Sequence, residues 1–344
     1  MLLEGLYLPI TTPFYSDGRL NLRKIEHNVD RYSRTPAAGM VVLSDVGEPG
    51  MLSDAETREA LTAGILLAAE TKVMIAGISR DSVFNTLELA EFAAGAGYDA
   101  ALVKAPQGVD AAASLLYFQA LADRSPLPIV LYSTPAAPLA VETVAALANH
   151  PQIIGIADED SVAERIATIR SQTSTVSREV TVTTVFAAVT GRMQIVKEAS
   201  GAATFVSADS LGGGAAIATA PPKPAIKTRT KSVGFQILTA SSTAMLEGLR
   251  AGAVGGMPAF AASAPQATYE VYAAWKDGDQ PLADVKQHRI AAPIELIEKE
   301  LGIAGIRYAS ELTGYFGGRP RLPVLPLSGE ARERVEQVMK GVRN

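Results

Sequence analysis

The chain has no cysteine among its 344 residues, which excludes a disulfide framework, a thiolate zinc site, an iron–sulfur cluster and a cysteine nucleophile together. Histidine is nearly as scarce. His27, His150 and His288 are the only three, and no two have the short spacing of a metal-binding pair, so no metal site is expected. Charged residues make up 19%, below the roughly 25% of an average soluble protein, and no dense Lys/Arg run occurs. With 31 basic against 36 acidic residues the net charge is −5, which speaks against nucleic acid as a partner. Neither a Gly-x-x-x-x-Gly-Lys-Ser/Thr loop nor a Gly-x-Gly-x-x-Gly fingerprint is found, and no cofactor is expected. The longest uncharged stretches, Ser125–Val141 and Ala251–Tyr269, are broken by proline and polar residues, so no membrane span is expected. The segment MLLEGLYLPITTPF carries Glu4, Pro9 and Pro13 and lacks a basic start, unlike a signal peptide. A cytoplasmic protein is the expectation.

What is present is apolar and rhythmic. Hydrophobic residues reach 48%, enough for a large core. Short apolar runs alternate with longer segments of helical spacing: Gly5–Ile10, Gly39–Leu43, Lys72–Gly77, Ala100–Ala105, Leu127–Tyr132, Gln152–Ile156, Gly234–Thr239 and Ala253–Met257. Eight strands predict an α/β chain folded as a (β/α)8 TIM barrel, with a doubly wound open sheet as the alternative. Ser53 and Glu56 have the spacing of a capping box, and Gly95 and Gly97 close the helical run from Asn85.

The rhythm fails once, before the seventh strand, where residues 174–232 stand in place of a short loop. Val180–Val185 alternates like a strand inside this insertion, and Pro221–Pro224 reads as a stiff linker. After the eighth strand, Gln266–Lys276, Leu282–Leu301, Ile303–Leu312 and Glu330–Val342 read as helices. The predicted organisation is a barrel over 1–265, interrupted by 174–232, with C-terminal helices over 266–344.

An ordered set of motifs follows the predicted strands. Thr12-Pro13-Phe14 with Asp17-Gly18 follows the first, Gly47-Glu48 with Leu52-Ser53-x-x-Glu56 the second, and Tyr132-x-x-Pro135 the fifth. Further on stand Gly252-Ala253-Val254-Gly255, Gly302-Ile303-x-Gly305-Ile306 and Arg321-Leu322-Pro323. In these residues, across nearly the whole chain, the sequence resembles the dihydrodipicolinate synthase and N-acetylneuraminate lyase family of class I aldolases. The stretch from Phe235 to Pro326 looks most like the 4-hydroxy-2-oxoglutarate aldolase branch. The resemblance implies a carbon–carbon lyase acting on a small 2-oxo acid or related carbonyl compound, in a homo-oligomer, dimer or tetramer. It also implies a lysine at the end of strand six that forms a Schiff base, and a tyrosine after strand five that relays protons; the tyrosine is Tyr132.

The strand-six sequence Gly155-Ile156-Ala157 puts Ala157 where the lysine is expected, and alanine cannot form an imine. The carboxylate-binding threonine motif reads Ser44-Asp45-Val46-Gly47-Glu48, and the arginine expected after the strand-five proline is Ala137. Val46 cannot donate a hydrogen bond, and Asp45 repels an anion. Ser44, Asp45, Val46 and Ala157 are therefore the predicted substrate-binding positions of an atypical site. Two lysines are candidates for the missing amine. Lys104 ends strand four; it either turns into the mouth as a relocated amine or snorkels outward between helices, the commoner habit of lysine. Lys197 sits in a copy of the family's lysine motif, Val196-Lys197-Glu198-Ala199-Ser200-Gly201, but on a predicted helix inside the insertion. The run Asp158-Glu159-Asp160 reads either as an acid over the mouth or, more commonly, as a solvated helix start. A non-catalytic family member that keeps the barrel for binding or assembly is the second functional reading.

Overall fold

The structure is a computed structural model and describes residues 1–194 and 226–342. Eight parallel strands close into a barrel: β1 (Gly5–Ile10), β2 (Gly39–Val42), β3 (Val73–Gly77), β4 (Ala100–Val103), β5 (Ile129–Ser133), β6 (Ile153–Asp158), β9 (Gln236–Thr239) and β10 (Gly255–Gly256). β10 pairs back onto β1 through Gly5 and Leu6, so the sheet has no edge and the open doubly wound alternative is excluded. Two further strands, β7 (Arg178–Thr183) and β8 (Thr228–Val233), pair antiparallel in the insertion before the seventh barrel strand.

Strand alternation separates two apolar layers. Tyr7, Val41, Ile75, Leu102, Val130, Tyr132, Ala157 and Leu238 belong to one cluster, the filling of the barrel. Leu8, Val42, Ala101, Val103, Leu131 and Ile237, their neighbours along the strands, belong to the other, between the strands and the surrounding helices. Where two strands approach closely a side chain has no room: a Cβ on Gly155 would stand 2.3 Å from the Gln236 carbonyl oxygen.

The helices are set by local signals. α1 (Leu22–Ser33) is capped by Asn21, α2 (Asp54–Leu66) by the Ser53/Glu56 box, and α3 (Val83–Ala96) ends at Gly97 with φ 99°. α4 (Ala111–Ala122), α5 (Val141–Ala148), α6 (Ala163–Gln172) and α7 (Met245–Ala251) continue the outer layer. Then come α8 (Pro265–Lys276), α9 (Gln280–Ile294), α10 (Gly302–Leu312) and α11 (Gly329–Met339). Pro293, inside α9, has no N–H for the helical ladder, and the helix runs on from there as a π-helical turn, Glu295–Glu300.

The described residues of the insertion pack on the face formed by the N-terminal ends of the strands. Val180 and Val182 cover Leu2, and Arg178 donates to the carbonyls of Ala148 and His150, just before β6. Arg192 donates to the carbonyls of Gly97 and Lys72, ahead of β4 and β3, and pairs with Asp99 at 3.3 Å. Lys197 lies outside the described residues. No helix of the described residues is long and apolar enough to cross a membrane.

Candidate active site at the barrel mouth

The C-terminal ends of the strands of a (β/α)8 barrel are where its active sites are built. Here that end carries Asp45 after β2, Lys104 after β4, Tyr132 in β5, Ala157 and Glu159 at the end of β6, and Ser242 after β9.

Lys104 continues the inward parity of Ala100 and Leu102. Its Nζ lies 2.5 Å from Asp45 Oδ1 and 5.7 Å from the centre of the Tyr132 ring. The outward, snorkelling reading of Lys104 is thereby corrected: the side chain spans the mouth from β4 toward β2. Its ammonium is held by a carboxylate two strands away, which an outward rotamer could not reach. Asp45 and Lys104 keep side-chain exposures of 42% and 22%, so water reaches the pair.

Tyr132 is buried and donates its hydroxyl proton to Glu159 Oε1. Burial first, then the charges of Asp45 and Glu159, push the phenol well above its ordinary range. Glu159 is itself raised, chiefly by burial and further by the field of Asp45, with the Tyr132 bond and Lys104 working against the rise. Two carboxyls of the acidic run therefore have separate fates. Asp158 is fully buried behind β6 and accepts from Arg165 Nε at 2.7 Å, whereas Glu159 turns to the phenol. The solvated-helix-start reading holds only for Asp160, which is exposed.

Ala157 pairs with Tyr132 across β5 and β6 and is fully buried, so a methyl group sits where the phenol faces its neighbouring strand. Ser44 is buried, and its Oγ has no hydrogen-bond partner among the described residues; Val46 is buried in a short 3-10 turn, Asp45–Gly47. Ala137 closes a tight turn with Thr134 through two backbone hydrogen bonds.

A residue that the sequence did not single out joins the site. Glu298, on the π-helical turn, accepts the Ser242 hydroxyl, and its charge acts on both Tyr132 and Glu159. Burial raises its carboxyl above the usual range. The only signal in the sequence was Pro293, which marks a helix that cannot stay regular. Glu48, by contrast, leaves the mouth: it forms a buried ion pair with Arg307 of α10, whose guanidinium also bonds the Thr12 and Gly317 carbonyls.

The histidines are dispersed. His27 packs edge-on against Phe316 at 4.9 Å, His150 Nε2 lies 3.1 Å from Asp123, and His288 lies on α9. Among the described residues no group of three or more His, Asp and Glu could hold a metal ion.

The family model of the dihydrodipicolinate synthetase family matches residues 2–183 and 223–342. The chain belongs to this family. Between them the two matched stretches leave out the central part of the insertion. A 4-hydroxy-tetrahydrodipicolinate synthase of Methanothrix thermoacetophila is 26% identical over 338 residues, covering 98% of this chain and 96% of that protein. Another, from Xanthomonas campestris pv. campestris, is 35% identical over 174 residues, covering 49% of this chain and 58% of that protein. Among solved structures, a dihydrodipicolinate synthase of Bacillus anthracis has a TM-score of 0.78 at 18% identity, with 100% of both chains covered. A chloride-inhibited dihydrodipicolinate synthase of Acinetobacter baumannii complexed with pyruvate has a TM-score of 0.77 at 21% identity, covering 99% of each. At these identities the structures share the fold. Membership of the dihydrodipicolinate synthetase family makes this chain a lyase- or aldolase-type protein.

Proposed function

We propose that the barrel mouth takes a small carbonyl compound, a 2-oxo acid or a relative of one, for carbon–carbon lyase or aldolase chemistry in an atypical active site. Lys104 serves as the amine, and Tyr132 with Glu159 forms the proton path. The observation that carries this is the position of Lys104 Nζ, over the Tyr132 ring and beside Asp45. Ser44, Asp45, Val46 and Ala157 line the site. The A. baumannii structure complexed with pyruvate supports a small 2-oxo compound as the first probe.

In this reading the Lys104 ammonium first gives a proton to water, and its lone pair then attacks the carbonyl carbon. The carbonyl oxygen takes a proton from Tyr132, which solvent replaces by way of Glu159; the nitrogen gives one proton back to solvent, the oxygen takes a second from it, and that oxygen leaves as water. The resulting iminium draws in the electron pair of the bond between its α- and β-carbons; as that bond breaks, the β-hydroxyl gives its proton to solvent and the β-carbon leaves as a carbonyl product, and the enamine left on Lys104 is protonated at its α-carbon through Tyr132. Hydrolysis of the iminium returns the amine. The buried phenol, held above its ordinary range, is a proton donor rather than a resting anion.

The proposal extends to a cytoplasmic homo-oligomer, dimer or tetramer, with no nucleic-acid partner, on the strength of the family relationship and the net charge of −5. It keeps 1–265, interrupted by 174–232, as the barrel unit and 266–344 as its helical extension. A second reading, a non-catalytic member that retains the barrel for ligand binding or assembly, draws on Ala157 facing Tyr132 and on the Asp45 carboxylate that already occupies the Lys104 ammonium. Borohydride reduction in the presence of pyruvate and other small carbonyl compounds, followed by peptide mass mapping, separates the two. An adduct on Lys104 supports catalysis; folded protein that forms no adduct with any compound favours the second reading, and an adduct on Lys197 assigns the amine elsewhere.

A further inference from the structure

The charges around the mouth are predominantly of one sign. Asp45, Glu159 and Glu298 each act on Tyr132, and they come from three separate elements: the turn after β2, the end of β6 and the π-helical turn. Against them the mouth offers Lys104, whose ammonium is already taken by Asp45. Lys299 stands 3.7 Å from Glu298 and is half exposed. The arginines at the strand ends are engaged elsewhere: Arg165 with Asp158 and the Leu139 carbonyl, Arg307 with Glu48, and Arg80 with Thr57 and Asp54. Ala137 supplies no cation where the resemblance expects an arginine. The rim also holds a neutral hydrogen-bonding group in reserve, because Ser44 Oγ is buried without a protein partner beside Asp45.

A carboxylate brought into this mouth would find no free guanidinium or ammonium among the described residues. It would lose its water and meet like charge at short range in a partly desolvated space. Glu159 and Glu298 already show the resistance of the site to negative charge: burial holds both above the usual carboxylate range, and neighbouring carboxylates add to the rise of Glu159. A hydroxyl group meets the opposite reception, because each carboxylate can accept its proton.

We infer that the preferred substrate class of this mouth is a neutral hydroxy ketone or hydroxy aldehyde, its hydroxyl groups donating to Asp45, Glu159 or Glu298, rather than a 2-oxo acid. The inference rests on the reading of the mouth as a carbonyl site and narrows that reading. It assigns Glu298 as a specificity-determining residue. The positions where the resemblance expects the lysine and the carboxylate-binding groups carry Ala157, Val46 and Ala137, none of them charged.

Hydroxyacetone and pyruvate form a matched pair of three-carbon methyl ketones that differ by a carboxylate. The experiment measures the rate of borohydride-trapped adduct on Lys104 with each, divided by the rate of the same compound with free butylamine to remove intrinsic reactivity. Hydroxyacetone is expected to be favoured by about tenfold or more, the scale of like-charge repulsion at short range in a partly desolvated site. Added salt narrows the ratio by screening, and Glu298→Gln narrows it further. The salt series on unaltered protein keeps the test decisive if that variant does not fold. A normalised pyruvate rate equal to or above that of hydroxyacetone overturns the inference while leaving the carbonyl-site reading standing. Absence of an adduct with either compound overturns both.

Discussion

Tyr132 is the residue on which the site turns, and its neighbours decide its behaviour. Its proton lies on the path to Glu159, so Tyr132→Phe, which keeps the ring and removes the hydroxyl, should lower the rate of carbonyl trapping by about 10²–10⁴-fold while the thermal transition changes little. A variant that traps at the original rate would take the phenol out of the proton path. Glu298 makes a prediction of opposite character. Its carboxyl is raised in the folded protein, chiefly by burial, so folding is favoured while the group is protonated, below the ordinary glutamate range; that contribution is lost as pH rises through the raised value. Glu298→Gln, which cannot ionise, should therefore raise Tm near pH 8 and change it little near pH 4. A gain as large in acid as in alkali would show that burial does not strain this carboxyl.

The sequence made some of these residues legible and hid others for identifiable reasons. Tyr132 was marked by its motif, and Lys104 by its place at the end of strand four; the inward face it shares with Ala100 and Leu102 shows only once the barrel closes. Glu159 was concealed by its company, because three consecutive acids read as a solvated helix start, and the end of β6 divides them among a buried ion pair, the mouth and water. Glu298 stands in a regular helical pattern, and only the π-helical turn after Pro293 shows how it is brought to Ser242.

Among elements, α10 is fastened to the barrel by one buried ion pair. Arg307 is 2% exposed and bonds Glu48, in the turn after β2, together with two carbonyls from the first loop and the C-terminal segment. Arg307→Ala leaves the Glu48 charge buried without its partner, and urea unfolding should show a loss of about 3–5 kcal/mol. A loss below about 1 kcal/mol would mean that Glu48 is solvated or protonated at no cost. The sequence placed Glu48 in a family motif but gave no hint of this partner, because Arg307 is remote along the chain and lies on a helix whose buried face is otherwise uncharged. Strands were the best-marked elements: β1 matches its predicted span, and the other barrel strands fall within or one or two residues of theirs, because a parallel strand buried on both faces reads as a nearly continuous apolar run.

For the whole molecule, the closed barrel puts the described part of the insertion and the proposed site on opposite faces. Arg192 bonds backbone carbonyls ahead of β3 and β4 and pairs with Asp99, far along the strands from Lys104. Arg192→Ala should lower Tm while leaving carbonyl trapping per folded molecule unchanged; a change in trapping at constant folded fraction would link the two faces. The barrel was legible because eight apolar runs and their spacing leave few alternatives, whereas the mouth depends on which side chains meet across strands that are distant in sequence. Asp45 and Lys104 come together only when the sheet closes. Whether Lys104 is the amine of this site is decided by peptide mass mapping after borohydride reduction with hydroxyacetone and with pyruvate. A reduced adduct is expected on the peptide that contains Lys104, absent from a folded Lys104→Ala variant. An adduct that persists undiminished in that variant, or none in the unaltered protein, would contradict that role for Lys104.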